Sequence, residues 1–266
     1  MGTSGAYGGS PGWSGVGNQT QDWLNSGADA GPATTSPDGP PGSSPGDRPL
    51  PNPQLAALIA DLARRLARSG GGGPASGGGG TGGAGGSAGT ATGRRGRSTA
   101  RAASAGGRAA AGAYGLRSGV AATLGELGLS LNELVGLSRH EQARRLLEAA
   151  TGPSGDVAES ELRLANADLI LWALNEESEP APIDLANRWV VEYVWQVWIS
   201  EAGHIIRSHS ATGYDSLRVE QEMRAALEAT VSAHSLPDGR PLTARDFEQA
   251  IKSALESLER IGRPRR

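Results

Sequence analysis

Cysteine is absent, lysine and phenylalanine occur once each, and aromatic residues make up only 4% of the 266-residue chain. Without cysteine there is no disulfide framework, no thiol nucleophile and no thiolate-ligated zinc. The single lysine, Lys252, lies mid-helix after Ile251. A phosphate-binding loop needs its lysine at the end of a glycine loop that follows a strand, so nucleotide hydrolysis of that class is excluded. No apolar run approaches the roughly 20 residues of a membrane span. The most apolar stretch, Trp189 to Ile199, is interrupted by Glu192 and Gln196 and reads as a buried helix. The chain starts on glycine and serine rather than an apolar run, so no secretory leader is read and the cytoplasm is the expected compartment.

What is abundant is glycine, with 41 residues, and proline, with 16, so much of the length cannot build a core. The two halves differ in charge. Residues 1–120 carry ten arginines against five aspartates, whereas the rest is acidic enough to bring the whole chain to −3. Trp172, Trp189, Trp195, Trp198 and Tyr193 all fall in the second half, which places the expected core there.

Along the chain, residues 1–51 are expected to be a disordered tail, because their apolar surface is too small to offset the ordering entropy of the backbone. Trp13, Trp23 and Leu24 stand out there, either as docking anchors or as chance occurrences. Asn52 and Pro53 look like a cap followed by proline at the first helical position. Leu55, Leu58, Ile59, Leu62 and Leu66 then recur on one face, predicting an isolated amphipathic helix over 52–69. Its stripe docks either on the C-terminal domain or on another protein. A Gly-rich linker, 70–97, leads into a small-residue segment, 98–119, with Arg94, Arg95, Arg97, Arg101 and Arg108 across the junction. The alternatives for these arginines are a nucleic-acid contact and a solvated helix, and the absence of interleaved aromatics favours the latter.

From 120 to 262 the periodicity is helical throughout, so the predicted fold class is all-α: a bundle-like C-terminal domain preceded by a long disordered region and followed by a basic tail, 263–266. Ser130 with Glu133 and Ser138 with Glu141 read as capping boxes. Gly152-Pro153 stops the second of these helices. Asp156, Asp184 and Thr243, the last with Asp246, read as further helix starts. A central helix, apolar nearly all round, runs from Leu185 to about His209 and is ended by Gly213. The next starts at Asp215 or Ser216, with Leu217, Met223, Ala226, Leu227 and Val231 inward. The last buries Phe247, Ile251, Leu255 and Leu258.

Catalytic patterns are not found. Glu201 and His204 share a helical face, but no His-Glu-x-x-His motif accompanies them and a metal site needs three or four converging ligands, so no metal and no cofactor are expected. No Gly-x-Ser-x-Gly lies on a strand-to-helix turn. The acidic pairs Glu176/Glu177 and Glu220/Glu222 read as solvated helix faces. The pointed feature is Met1-Gly2-Thr3-Ser4: removal of the methionine leaves the α-amine of Gly2, with a pKa near 7.7–8.0, partly neutral and nucleophilic. The myristoylation pattern wants Ser or Thr at the sixth position, where this chain has Ala6.

Met1-Gly-Thr-Ser4, the small-residue stretch from Arg101 to Tyr114, Leu127-Gly-Leu-Ser-Leu-Asn-Glu-Leu134, Leu137-Ser-Arg-His-Glu-Gln-Ala-Arg144 and the tryptophan-containing helix together resemble the QatB-like components of the Qat bacterial anti-phage defence system. The resemblance implies a non-enzymatic chain whose partners are a Qat-type ATPase, a QueC-like enzyme of the 7-cyano-7-deazaguanine type and a TatD-like nuclease. It further implies that the QueC-like enzyme modifies Gly2, with Thr3 and Ser4 as recognition context. The alternative is a nucleic-acid-binding accessory protein that uses Arg94 to Arg108.

Overall fold

The structure is a computed structural model and describes residues 13–27, 53–69, 99–152, 157–209, 213–233 and 235–261. Gly2, Thr3, Ser4, Arg94, Arg95 and Arg97, the cap assigned to Asn52, the 70–97 linker, the start at Asp156 and the tail 263–266 lie outside these residues. Among the described residues the chain is all-α: α1 Ser14–Gly27, α2 Pro53–Ser69, α3 Thr99–Arg117, α4 Ala121–Glu126, α5 Leu131–Val135, α6 Arg139–Thr151, α7 Val157–Asn175, α8 Pro182–His209, α9 Gly213–Thr230 and α10 Ala244–Ile261. No helix among them is long and apolar enough to cross a membrane.

The small-residue segment is the centre of the fold rather than a solvated helix. α3 packs against α10 above all, then against α7, α6, α8 and α4. Alanine supplies helix propensity, whereas each helical glycine costs roughly 1 kcal/mol relative to it. Gly106, Gly107, Gly112 and Gly115 are nevertheless all in α3, and all are buried. Two of them show why. A Cβ on Gly107 would lie 2.7 Å from the carbonyl oxygen of Ala244 and 2.7 Å from the amide nitrogen of Glu248, so here the backbones of α3 and α10 touch. A Cβ on Gly106 would lie 2.4 Å from the ring of Trp189. The glycines trade propensity for close approach.

α8 solves the opposite problem by bulk. Every residue from Trp189 to Trp195 is buried, as are Val197 and Trp198, so this stretch is enclosed on all sides, as its apolar pattern predicts. Trp189 stacks on Tyr193 with centroids 5.1 Å apart and donates its indole N–H to Asn166 Oδ1 of α7 at 2.6 Å, which satisfies the one polar group that burial would otherwise orphan.

The first two helices join this core. α1 lies within the stretch expected to be disordered, and Trp13, Val16, Thr20 and Trp23 are buried against α8 and α2. The two tryptophans are docking anchors. α2 keeps its predicted stripe of Leu55, Leu58, Ile59, Leu62 and Leu66, all buried, and packs on α10 and α1. Its docking, left open by the sequence, is therefore within the chain, and the core recruits helices well upstream of residue 120.

Several local expectations change. Ser130 makes no side-chain cap bond, whereas the Ser138 hydroxyl accepts the Glu141 amide at 3.3 Å. Gly152 ends α6 with φ of 66°, the left-handed exit that glycine adopts without penalty. Helix α8 starts at Pro182, two residues before Asp184, and Gly213 opens α9 instead of closing α8. Leu217 is 58% exposed rather than inward. At α10 the box is complete: the Asp246 amide donates to Thr243 Oγ1 at 3.3 Å, and Asp246 Oδ2 accepts the Thr243 amide at 2.8 Å.

Candidate functional site

The close crossing of α3 and α10 builds a surface cleft. With the two backbones in contact, Ser104 and Arg108 of α3 stand beside Arg245, Glu248, Gln249 and Lys252 of α10, and Glu126 and Leu127 close one end. The cleft holds about 630 Å³. Arg101 and Arg108 are seven residues apart on α3, as are Arg245 and Lys252 on α10, and all four are exposed. Seven residues are two turns, so each pair shares a face and is spaced about 10 Å along its axis. Arg108 donates to the carbonyl oxygen of Ala149 near the end of α6. Glu126 accepts the Ala244 amide at 3.2 Å, so its charge sits at the amino end of α10. The lining supplies cations and hydrogen bonds around an open groove. Glu126 and Glu248 stand among Arg108, Arg245 and Lys252, so the lining mixes both charges.

Of the arginines singled out by sequence, the structure places Arg108 in the lining and Arg101 two turns before it on the same helix. Arg245 and Lys252 were missed, because nothing in a linear pattern says that α10 lies against α3. The rarity of lysine was the one available signal.

Glu201 and His204 are not brought together, since Glu201 is buried and His204 is exposed. His140 is exposed on α6. Among the described residues no group of three potential metal ligands converges.

Charge is instead buried where α8 meets α9. Glu192, 1% exposed, is bridged by Arg188 at 2.7 Å and by Arg224 of α9 at 2.8 Å. Arg188 also lies over the Trp172 ring at 5.6 Å, and Arg224 over Trp195 at 5.3 Å. Burial pushes the Glu192 carboxyl above its ordinary range, against the pull of its arginines. Asp246 behaves oppositely: the Arg240 guanidinium, at 2.6 and 2.9 Å, leads the effects that lower its pKa to about 2. Glu141 is likewise lowered to about 2, chiefly by its hydrogen bonds from Arg144. The Glu192 network fastens α8 to α9, whereas the other two lie within α6 and at the start of α10.

The third feature is the corner formed by α5 and α6. From Leu127 to Leu134 only Leu134 is buried, and from Leu137 to Arg144 only Ala143. Val135 is 65% exposed, with Asn132, Glu133, Arg139 and His140 exposed around it. Compared with protein-family models, with curated proteins and with solved structures, the chain matches none of them.

Proposed function

We propose that this chain is a non-enzymatic, cytoplasmic adaptor of an anti-phage defence system of the Qat type, a bundle-like helical body that docks on partner proteins while its leading segment offers Gly2 to a QueC-like modifying enzyme. One observation carries the reading. Two of the segments that resemble QatB-like proteins, Leu127 to Leu134 and Leu137 to Arg144, lie mostly on the surface. Their leucines pack inward, with Leu129, Leu131 and Leu137 against the core and Leu134 buried in it, but Asn132, Glu133, Arg139 and His140 are exposed on either side of Val135 in the chain, and an exposed apolar residue among polar ones suits a protein contact. The Qat-type ATPase and the TatD-like nuclease are the candidate partners for that corner.

Co-expression with the three partner types tests this. The expected result is a mass increase confined to the N-terminal peptide containing Gly2, Thr3 and Ser4, and loss of partner co-purification in Val135→Asp. An unchanged N-terminal mass together with intact co-purification of Val135→Asp would overturn the reading.

The second reading is nucleic-acid binding, favoured by the paired rows Arg101/Arg108 and Arg245/Lys252. Phosphate contacts release counterions, so four such contacts to single strands give a log–log salt slope near −3. Binding that is flat in salt removes this alternative.

A further inference from the structure

The cleft between α3 and α10 holds the chain's one lysine, and a row of charge contacts does not call for it. Of the 25 lysine and arginine side chains in the sequence, Lys252 is the one that is not arginine. A position that needs only a fixed positive charge is served by arginine, as it is everywhere else in this chain. What lysine adds is an amine that gives up its proton and becomes a nucleophile, which a guanidinium does not do.

The surroundings of Lys252 give that difference a use. Its side chain is exposed on α10 and lines the cleft. Among the described residues it enters no salt bridge, so its amine is not engaged in fastening the fold. Glu248 stands four residues before it and Arg245 seven, which puts a carboxylate one turn away and a guanidinium two turns away on the same helical face. From the opposite bank Ser104 and Arg108 of α3 line the same space, because Gly107 lets the two backbones touch. Arg108 donates through one terminal nitrogen to the Ala149 carbonyl and keeps its other donors. The volume of about 630 Å³ is that of a small-molecule site. Both signs of charge in the lining have a task in acyl transfer to an amine: a carboxylate accepts the proton, and guanidinium groups hold an anionic leaving group.

We propose that Lys252 is an acylation site and that the cleft takes a small acyl phosphate as the donor. The phosphate lies against Arg245 and Arg108. Lys252 gives one proton to Glu248, and the freed lone pair of Nζ attacks the acyl carbon. A C–N bond forms and the C–O bond to phosphate breaks, its electron pair leaving with the phosphate. The phosphate takes the second amine proton, and Glu248 returns the first to water. The product is a neutral amide, so the modification removes one positive charge from the cleft. The inference stands apart from the adaptor reading, since it involves neither Gly2 nor the α5–α6 corner.

The test uses the full chain and acetyl phosphate, followed by peptide mass mapping. A sole lysine makes the assignment unambiguous, because the other amine is the N-terminus and lies in a different peptide. The expected result is acetylation of Lys252 at least tenfold faster than in a synthetic peptide of residues 248–256, with Arg245→Gln and Glu248→Gln each slowing it at least threefold. Acetic anhydride carries no phosphate and acylates wild type and Arg245→Gln at equal rates, which separates holding of the donor from simple exposure. Circular dichroism checks that both variants keep the helical content of wild type. The proposal is overturned if Lys252 reacts no faster than in the peptide, if Arg245→Gln leaves the acetyl phosphate rate unchanged, or if that variant slows the anhydride reaction equally.

Discussion

Helices α3 and α8 both run through the centre of the molecule, yet one is built from alanine and glycine and the other from tryptophan, tyrosine and valine. α3 works by what its side chains lack, since removing Cβ at Gly106 and Gly107 lets Trp189 and the backbone of α10 move in. α8 works by volume: its large side chains fill the space that small residues leave. The two are complementary halves of one packing solution, and neither composition is interpretable without the other. A core is defined by the fit between surfaces, and average hydrophobicity is a poor guide to it.

The largest effect expected on this comparison is from Trp189→Ala, which leaves a cavity and orphans Asn166 Oδ1, at a cost of about 4 kcal/mol in chemical denaturation. Gly106→Ala overpacks the same contact at a cost of about 2 kcal/mol, in spite of its gain in helix propensity. The two together sharpen the test. In the Trp189→Ala background the new methyl enters vacated space, so Gly106→Ala becomes neutral or stabilising and the cycle shows a coupling of about 2 kcal/mol. Additive costs would mean that the two helices do not form one packing unit.

Next in size is Glu192→Ala, which removes the bridge between α8 and α9 and leaves Arg188 and Arg224 facing each other. Both arginines are partly solvated, so the cost is about 2 kcal/mol rather than the full penalty of a broken buried pair. Hydrogen exchange in α9 rises more than in α3. Acid acts on a different set of groups. Asp246 and Glu141 have folded pKa values of about 2, below their ordinary values, so their stabilisation is present above pH 4 and is lost as pH falls from 4 towards 2. Glu192, raised by burial, opposes this by favouring the fold as it takes up its proton. Asp246→Asn costs about 1 kcal/mol at neutral pH through the weakened cap and flattens the acid limb of the stability profile. The smallest effect on stability is expected from Arg245→Glu with Lys252→Glu, within about 0.5 kcal/mol because both are exposed. The same pair removes salt-dependent binding of single-stranded nucleic acid if the cleft has that role.

How far the sequence was readable followed from how local each signal is. The stripe of α2, the all-round apolar pattern of α8 and the Thr243–Asp246 cap of α10 were legible, because each depends on residues within a few turns. Helix α1 was not. Its four buried side chains are too few to stand out from glycine-rich surroundings, and they become a face only when Trp198 lies opposite. Leu217 followed the helical period yet faces outward, because among the described residues no helix covers that side of α9. At the cleft, Arg108 was in view from the start, whereas Arg245 and Lys252 joined it through a contact between helices more than a hundred residues apart.

By itself, then, the sequence determined the class of the fold and where most of its helices lie, since periodicity, caps and breakers act over one or two turns of backbone. Only the tertiary structure decided that an alanine and glycine segment is the centre, that two upstream helices belong to the core, and that cations from α3 and α10 line one groove. Those outcomes depend on which surfaces fit closely enough to exclude water, and that is a property of pairs of helices that neither strand of residues carries alone.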